Sequence, residues 1–331
     1  MKVRTGLQFV IILICMLVTV LTGCRRKSAE ASANGSQRGQ DSKEFHVAYA
    51  AVTTSLAPWV VALANEFGEM CKRNDWKYDI YDGEGNPTVQ TEQINSIISD
   101  GDVDMVVLFP VDGEVGVQYV KDLTSAGIGV ITMGSDVAAD GQALVKCYVG
   151  PDQAGMVNIA TDYVKEIYGP DKPLNYVILS GFDVQYDYIL REKAVNDGFA
   201  GTKYNQLAVS YCGASRDVAM EKMANYLVTY NNLDFVACLS DEFALGAIQA
   251  IDEAGKTGQI MVVSIECFKA SIPMIKEGKL AITVTMTGRN TILRLEEVLK
   301  AYLRGETPDY SQFSLIEPVT KATADSVSPE Y

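Results

Sequence analysis

Two similar α/β lobes, each a doubly wound parallel sheet, are the architecture this sequence predicts. Three observations point there: short runs that are apolar throughout, helix-period segments between them, and a return of the same pattern 130 residues later. The runs that read as strands are HVAYA (46–50), KYDIY (77–81), MVVLF (105–109), GVITM (129–133), NYVIL (175–179), QLAVS (206–210), FVACL (235–239) and IMVVSI (260–265). Between them, Trp59, Leu63, Phe67 and Met70 fall at helical spacing, as do Phe243, Ala247, Ile251 and Ala254. Asn86-Pro87 supplies a cap and a first-turn proline to a further helix. The order βαβαβα, given twice, implies right-handed crossover units and one sheet per lobe. At the 130-residue offset Asp104-Met105-Val106 meets Asp234-Phe235-Val236, Gly68 meets Gly198, and Asp136 meets Glu266. Two such sheets, with the carboxyl ends of their strands facing one another, place a ligand cleft between them.

The first 23 residues read as a signal peptide. Lys2 and Arg4 form a positive start, and Phe9 to Leu21 is a charge-free apolar run too short for a comfortable membrane span. Leu21-Thr22-Gly23-Cys24 resembles the lipobox of bacterial lipoproteins, in which the cysteine becomes the acylated N-terminus. Cys24 is therefore the expected lipidation site, and a lipid membrane an expected partner. Residues 24–44 lack apolar periodicity and are rich in Ser, Ala, Gly and Gln, as a flexible tether is. The location expected is extracytoplasmic, anchored to a bacterial membrane at the cell surface or the periplasmic face.

Composition narrows the function. With Lys2 and Arg4 set aside, 26 basic residues face 42 acidic ones, a net of −16, which excludes nucleic acid as a partner class. One histidine, His46, and no C-x-x-C make a metal site improbable, and no cofactor is expected. Cys147 and Cys238 lie in apolar runs, where a buried thiol is expected, although export would permit a disulfide. Catalytic signatures are missing. Ala250 to Thr257 fits a permissive phosphate-loop pattern but closes a helix instead of opening one, so Gly255 reads as a helix C-cap. Asp82-Gly-Glu84-Gly-Asn86 mimics a calcium loop, yet Pro87 takes the required glycine position, and a turn with a helix cap is the reading. The chain is not expected to be an enzyme.

The segments TTSLAPWV (53–60), DVDMVVLFPVD (102–112), AGIGVITMGSD (126–136), LREKAVNDGF (190–199), LDFVACLSDEFALGAIQAIDEAGK (233–256) and EGKLAITV (277–284) appear in an order and spacing that resemble the type I periplasmic solute-binding proteins of ABC transporters, nearest the ribose-binding branch. The resemblance covers about residues 46–318. It implies a three-crossing hinge near 147–150, 285–288 and 312–316, an N-terminal lobe of 45–147 plus 288–312, and a C-terminal lobe of 148–287 plus 313–331. It further implies a monomeric body that captures a sugar or sugar derivative for an ABC permease. The alternative is a lipoprotein of the same fold that passes a ligand signal to a chemoreceptor or sensor kinase.

Carried over by that resemblance, Thr53 and Trp59 stand for a polar residue and an aromatic of the sugar site, with Trp59 stacking on a ring or filling the core. Ala57 replaces an asparagine. Gly134-Ser135 replaces an Asp-Arg pair, with Asp136 one residue on able to serve. The arginine expected three residues before Gly198 is Val195; Arg191 lies one helical turn earlier, where an exposed helix arginine is the ordinary expectation and a reach into the cleft the alternative. Tyr186 and Tyr188 stand on the cleft side and offer stacking. Ser240 with Asp241 and Glu242 takes the place of Asn-Asp-Glu, Asp241 serving as ligand contact or helix cap. Glu266 matches a ligand-binding aspartate able to accept two hydroxyls, and Met286 replaces a glutamine.

Overall fold

A computed structural model describes residues 44–55 and 58–330. The signal segment, Cys24, the tether as far as residue 43, and Ala57 lie outside the described residues. The first half runs β1 (His46–Ala51), α1 (Pro58–Arg73), β2 (Lys77–Asp82), α2 (Pro87–Asp100), β3 (Met105–Leu108), α3 (Gly113–Ser125), β4 (Gly129–Met133), α4 (Ala139–Gln142) and β5 (Tyr148–Gly150). The second half repeats the alternation as α5 (Gln153–Tyr168), β6 (Leu174–Ser180), α6 (Tyr186–Gly198), β7 (Tyr204–Tyr211), α7 (Arg216–Thr229), β8 (Phe235–Cys238), α8 (Asp241–Glu253), β9 (Met261–Val263), α9 (Ser271–Glu277) and β10 (Ile282–Val284). The chain then returns through α10 (Gly288–Leu303) and β11 (Ser311–Phe313) and ends on β12 (Pro318–Thr320).

Two six-stranded sheets result, ordered β11-β5-β4-β3-β1-β2 and β12-β10-β9-β8-β6-β7. The repeat read from the sequence is thus a repeat of topology, and β3 moved on by 130 residues coincides with β8. Every pairing is parallel except that of β12 with β10. Central strands β1, β3, β4 and β8 are buried along their whole length, which is why they lack alternation. Edge strand β2, KYDIYD, is polar and partly exposed, a composition that discourages edge-to-edge pairing.

The sequence-based boundary after Cys147 leaves β5 with the second lobe. Its hydrogen-bonded neighbours β4 and β11 put it in the first sheet instead. β11 contributes only three residues there, too few for a periodic signal.

Local chemistry fixes the loops that matter for the cleft. Asn86 Oδ1 accepts from the Thr88 amide at 2.9 Å and Pro87 begins α2, so the calcium-like stretch is a turn and a cap. Gly255 has φ +65°, and the Lys256 amide returns to the Ile251 carbonyl at 3.0 Å, closing α8. The thiols of Cys71, Cys147, Cys212, Cys238 and Cys267 are all buried and free. Burial raises each thiol, those of Cys71, Cys147 and Cys267 to about 12. Among the described residues, no helix is long and apolar enough to cross a membrane.

Candidate functional site: the cleft around Arg191

Strand ends and helix starts from both sheets meet in a cleft holding a cavity of 160 Å³. The first lobe contributes Thr53, Trp59, Phe109 and Asp112, and the second contributes Asp187, Tyr188, Arg191, Ser240, Phe243 and Glu266. Apolar and aromatic walls with few polar groups are the usual make-up of a small-molecule site.

Arg191 organises the polar side. It stands on α6, is 1% exposed, and is the largest fully buried side chain described. The expectation of an exposed helix arginine is therefore corrected. Burial of this guanidinium is tolerated because its Nε and Nη1 donors are spent on partners from several parts of the chain. Nε donates to Gln153 Oε1 at 2.8 Å, and Nη1 donates to the Leu239 carbonyl at 2.8 Å and to Glu266 Oε1 at 3.0 Å. The guanidinium lies 4.9 Å from the centre of the Tyr188 ring, and Nη2 reaches the Met286 sulfur at 3.9 Å. Burial acts to lower the Arg191 pKa, but the carboxylates of Glu266 and Asp187 overcome it and raise the value.

Glu266 faces Arg191 from the loop after β9. Its Oε2 accepts from the Ser240 hydroxyl at 2.6 Å. Burial pushes its carboxyl up to about 7, against the opposing pull of Arg191 and Ser240. Glu266 and Cys267 have φ of +104° and +62°, conformations that disfavour any residue with a side chain. Strain of this kind persists only where the surroundings enforce it. Here the Glu266 amide donates to the Val284 carbonyl at 2.7 Å, and its carbonyl accepts from the Met286 amide at 3.2 Å.

The lobes touch beside this cluster. The Gly113 amide, at the start of α3, donates to the Val184 carbonyl at 3.1 Å, and the Asp187 amide donates to Ser135 Oγ at 3.1 Å. Gly134 has φ +83°, and a Cβ there would come within 2.8 Å of both Trp59 and Phe109, so only glycine fits between the cleft aromatics.

A parallel-sheet pair with a buried ligand-type cluster between its lobes has a counterpart among known families. Residues 47–307 match the family described as periplasmic binding protein domain. The chain belongs to that family. It is 26% identical to the ribose import binding protein of Bacillus subtilis over 279 residues, which cover 82% of this chain and 86% of the relative. With the Salmonella typhimurium protein of the same name it shares 25% identity over 256 residues, 77% of this chain and 84% of the other. In fold it is similar to a Mycobacterium smegmatis protein in complex with β-D-fucofuranose, with a TM-score of 0.79, 22% identity, and 86% and 94% of the two chains covered. An ABC transporter solute binding protein of Bacillus halodurans with bound myo-inositol gives a TM-score of 0.77 at 22% identity, covering 87% of this chain and 98% of that one. The family binds solutes and is not catalytic.

Within this family frame the candidate residues divide. Thr53, Trp59, Arg191, Ser240 and Glu266 come together at the cleft. Trp59 is wall and core at once: it is 5% exposed and packs edge-to-face on Phe109 with ring centres 5.8 Å apart. Met286 sits behind Arg191, its sulfur against the guanidinium, and does not line the cavity.

The others are directed elsewhere. Asp241 is turned into the second lobe, where it accepts from Thr283 Oγ1 at 2.8 Å, the Phe268 amide at 2.7 Å and Ser264 Oγ, so it fastens the Glu266 loop instead of lining the cleft. Ser240, not Asp241, caps α8. Asp136 is held by Thr132 Oγ1 at 2.8 Å, the Val137 amide at 2.8 Å and Tyr310 Oη at 2.6 Å, and borders a second cavity beside the lobe crossings together with Tyr186. Ser135 is fully buried and spent on the Asp187 amide. Val195 is a core residue.

Asp187 and Gln153 were not foreseen. Asp187 carried a signal, four residues before Arg191 on the same helix. Gln153, 38 positions from its partner, carried none.

Proposed function

We propose that this chain captures a small polyhydroxylated solute, a sugar or sugar derivative, between its lobes and presents it to an ABC importer in the membrane. The observation that carries the reading is the buried Arg191–Glu266 pair, with Ser240 behind it and Trp59 facing it from the other lobe. A carboxylate and a guanidinium offer paired acceptors and donors to vicinal hydroxyls, and an indole covers the apolar face of a sugar ring. The printed names of the relatives agree with it: ribose, ribose and allose, xylitol and fructose binding proteins in several bacteria.

Capture works by differential affinity. A solute touching only one lobe shifts nothing, whereas one held by Trp59 and Thr53 on one side and by Arg191, Ser240 and Glu266 on the other favours the closed state. The proposed hinge has three crossings near 147–150, 285–288 and 312–316, so that the lobe built on the first sheet, 45–150 with 288–313, moves against the lobe built on the second. The protein acts as a monomer.

The reading places the body outside the cytoplasm, tethered through an acylated Cys24 and the segment up to residue 44. Such a tether keeps the body near its permease at raised local concentration.

A thermal-shift screen over pentoses, hexoses, furanoses, polyols and nucleosides tests capture: a bound solute raises the melting temperature by mass action, and Glu266→Ala removes most of that rise. A panel without a single shift rejects the reading. Cys24→Ser should release the protein from the membrane fraction, and unchanged retention would reject the anchor.

A further inference from the structure

We propose that the cleft selects a deoxy sugar, held by its hydroxyls against the second lobe and by a methyl or methylene edge against the first. This rests on the reading of the cleft as a sugar site and deepens it by naming the class of sugar.

The first lobe meets the cavity with the ends of β1 and β3 and the start of α1, and there the wall is mostly apolar: Val52, Trp59, Val60, Phe109 and Val111, none more than 6% exposed. Thr53 and Asp112 are the polar side chains of that wall among the described residues. Asp112 Oδ1 is committed to α3, accepting from the amides of Glu114 at 2.8 Å and Val115 at 3.0 Å. Thr53 Oγ1 accepts from the Ser55 amide at 3.3 Å. The end of β4 carries two more polar residues, Ser135 and Asp136, but neither lines the cavity. Ser135 is bonded to the Asp187 amide, and Asp136 to Thr132, Val137 and Tyr310. Gly134 before them has no room for a side chain between Trp59 and Phe109. Of the three strand ends that the first lobe brings to the cleft, one therefore adds nothing polar and the other two add one polar residue each.

The second lobe is the polar side. Arg191, Ser240 and Glu266 line the cavity together. Glu266 Oε1 accepts one bond from Arg191 at 3.0 Å and Oε2 one from Ser240 at 2.6 Å, which leaves each oxygen a further lone pair for a solute hydroxyl. The cavity is thus two-sided, and a ring with hydroxyls on one edge and a methyl or methylene on the other matches both walls. A fully hydroxylated ring of the same size sets a hydroxyl against valine and phenylalanine, where it gives up its water and gains no partner. A hydroxyl stranded in this way lowers affinity by about 10- to 100-fold, whereas a methyl in the same place gains by burial.

The test is isothermal titration calorimetry at neutral pH on matched pairs: D-fucose with D-galactose, 6-deoxy-D-glucose with D-glucose, L-rhamnose with L-mannose, and 2-deoxy-D-ribose and 5-deoxy-D-ribose with D-ribose. The expected result is that the tightest member is a deoxy sugar, bound about 10-fold or more tighter than its hydroxylated parent. Val52→Thr, Val60→Thr and Val111→Thr each keep the shape of the side chain and add a hydroxyl to the first-lobe wall. At least one of them should narrow that advantage to about 3-fold or less by strengthening the parent. A parent that is the tightest member of the panel, or that binds the wild-type chain within about 3-fold of the best deoxy sugar, overturns the proposal. So does an advantage left unchanged by all three substitutions, since the selectivity then does not come from this wall. Should a threonine variant melt early, the wild-type comparison and the remaining variants decide the matter in the same way. A wild-type chain that binds no member of the panel instead refutes the sugar reading on which the proposal stands.

Discussion

Gln153 Nε2 donates to the Gly134 carbonyl at 2.7 Å while Gln153 Oε1 accepts from Arg191 at 2.8 Å, so one amide joins the first sheet's strand end to the guanidinium of the second lobe. Gln153 begins α5, directly after the first crossing, and is 4% exposed. Replacing it by leucine keeps the volume and removes both bonds. Arg191 Nε then loses its partner, at about 1–3 kcal/mol, while the Gly134 carbonyl keeps the Tyr148 hydroxyl at 3.1 Å. The expected outcome is a solute affinity lowered by about 10-fold or more in calorimetry, with far-ultraviolet circular dichroism unchanged; full affinity would show that Arg191 is oriented without it.

Glu266 gives the protein a pH signature. Its folded value of about 7 lies above the ordinary 4.5, so the folded state binds more protons than the unfolded one between those values. Its contribution is fully present below about pH 4.5 and is lost as pH rises through about 7, on the order of 1–3 kcal/mol. Asp187 and Asp241 are also raised by burial and add slopes of the same sign. Urea unfolding from pH 5 to 8 should therefore show a decline that Glu266→Gln, which still accepts from Arg191, makes shallower. Identical slopes in the two proteins would remove Glu266 as a source.

Asp241 tests the difference between a site residue and a brace. Asp241→Ala strands the donors of Thr283 and Phe268 in the interior and should lower the unfolding free energy by about 3 kcal/mol. Any solute that still binds should do so with its preference among sugars intact, because the carboxylate does not line the cavity. A changed preference at unchanged stability would return Asp241 to the solute.

Two tryptophans separate cleft from periphery by fluorescence. Trp59 lines the cavity, whereas Trp76 packs edge-to-face on Phe45 with ring centres 5.4 Å apart, at the opposite end of β1. Solute binding should change the emission of wild type and of Trp76→Phe but leave Trp59→Phe silent. A responsive Trp59→Phe would take the indole out of the site.

Much of the fold could be read in the residues because β1, β3, β4 and β8 are covered on both faces, and a strand with no wet side has a sequence with no polar positions. β5, β10, β11 and β12 escaped as isolated readings since three residues cannot display a period. The site was harder. An acid after a strand looks the same whether it meets a solute, as Glu266 is placed to do, or a serine and a threonine, as Asp241 does; one residue's rotation decides. Arg191 read as a surface residue because a helix sequence gives no hint of partners 38, 48 and 75 positions away. Burial of a charge is a property of the assembled network and not of its neighbours along the chain.

The five buried thiols make the molecule its own gauge of local opening. With their values raised by burial, they present almost no thiolate in the folded state, whereas an opened segment exposes a cysteine of ordinary reactivity. Cys71 on α1 and Cys147 before β5 lie in the first half, while Cys212, Cys238 and Cys267 lie in the second. Alkylation followed by peptide mass spectrometry would thus time the breathing of each half separately, without a single engineered label.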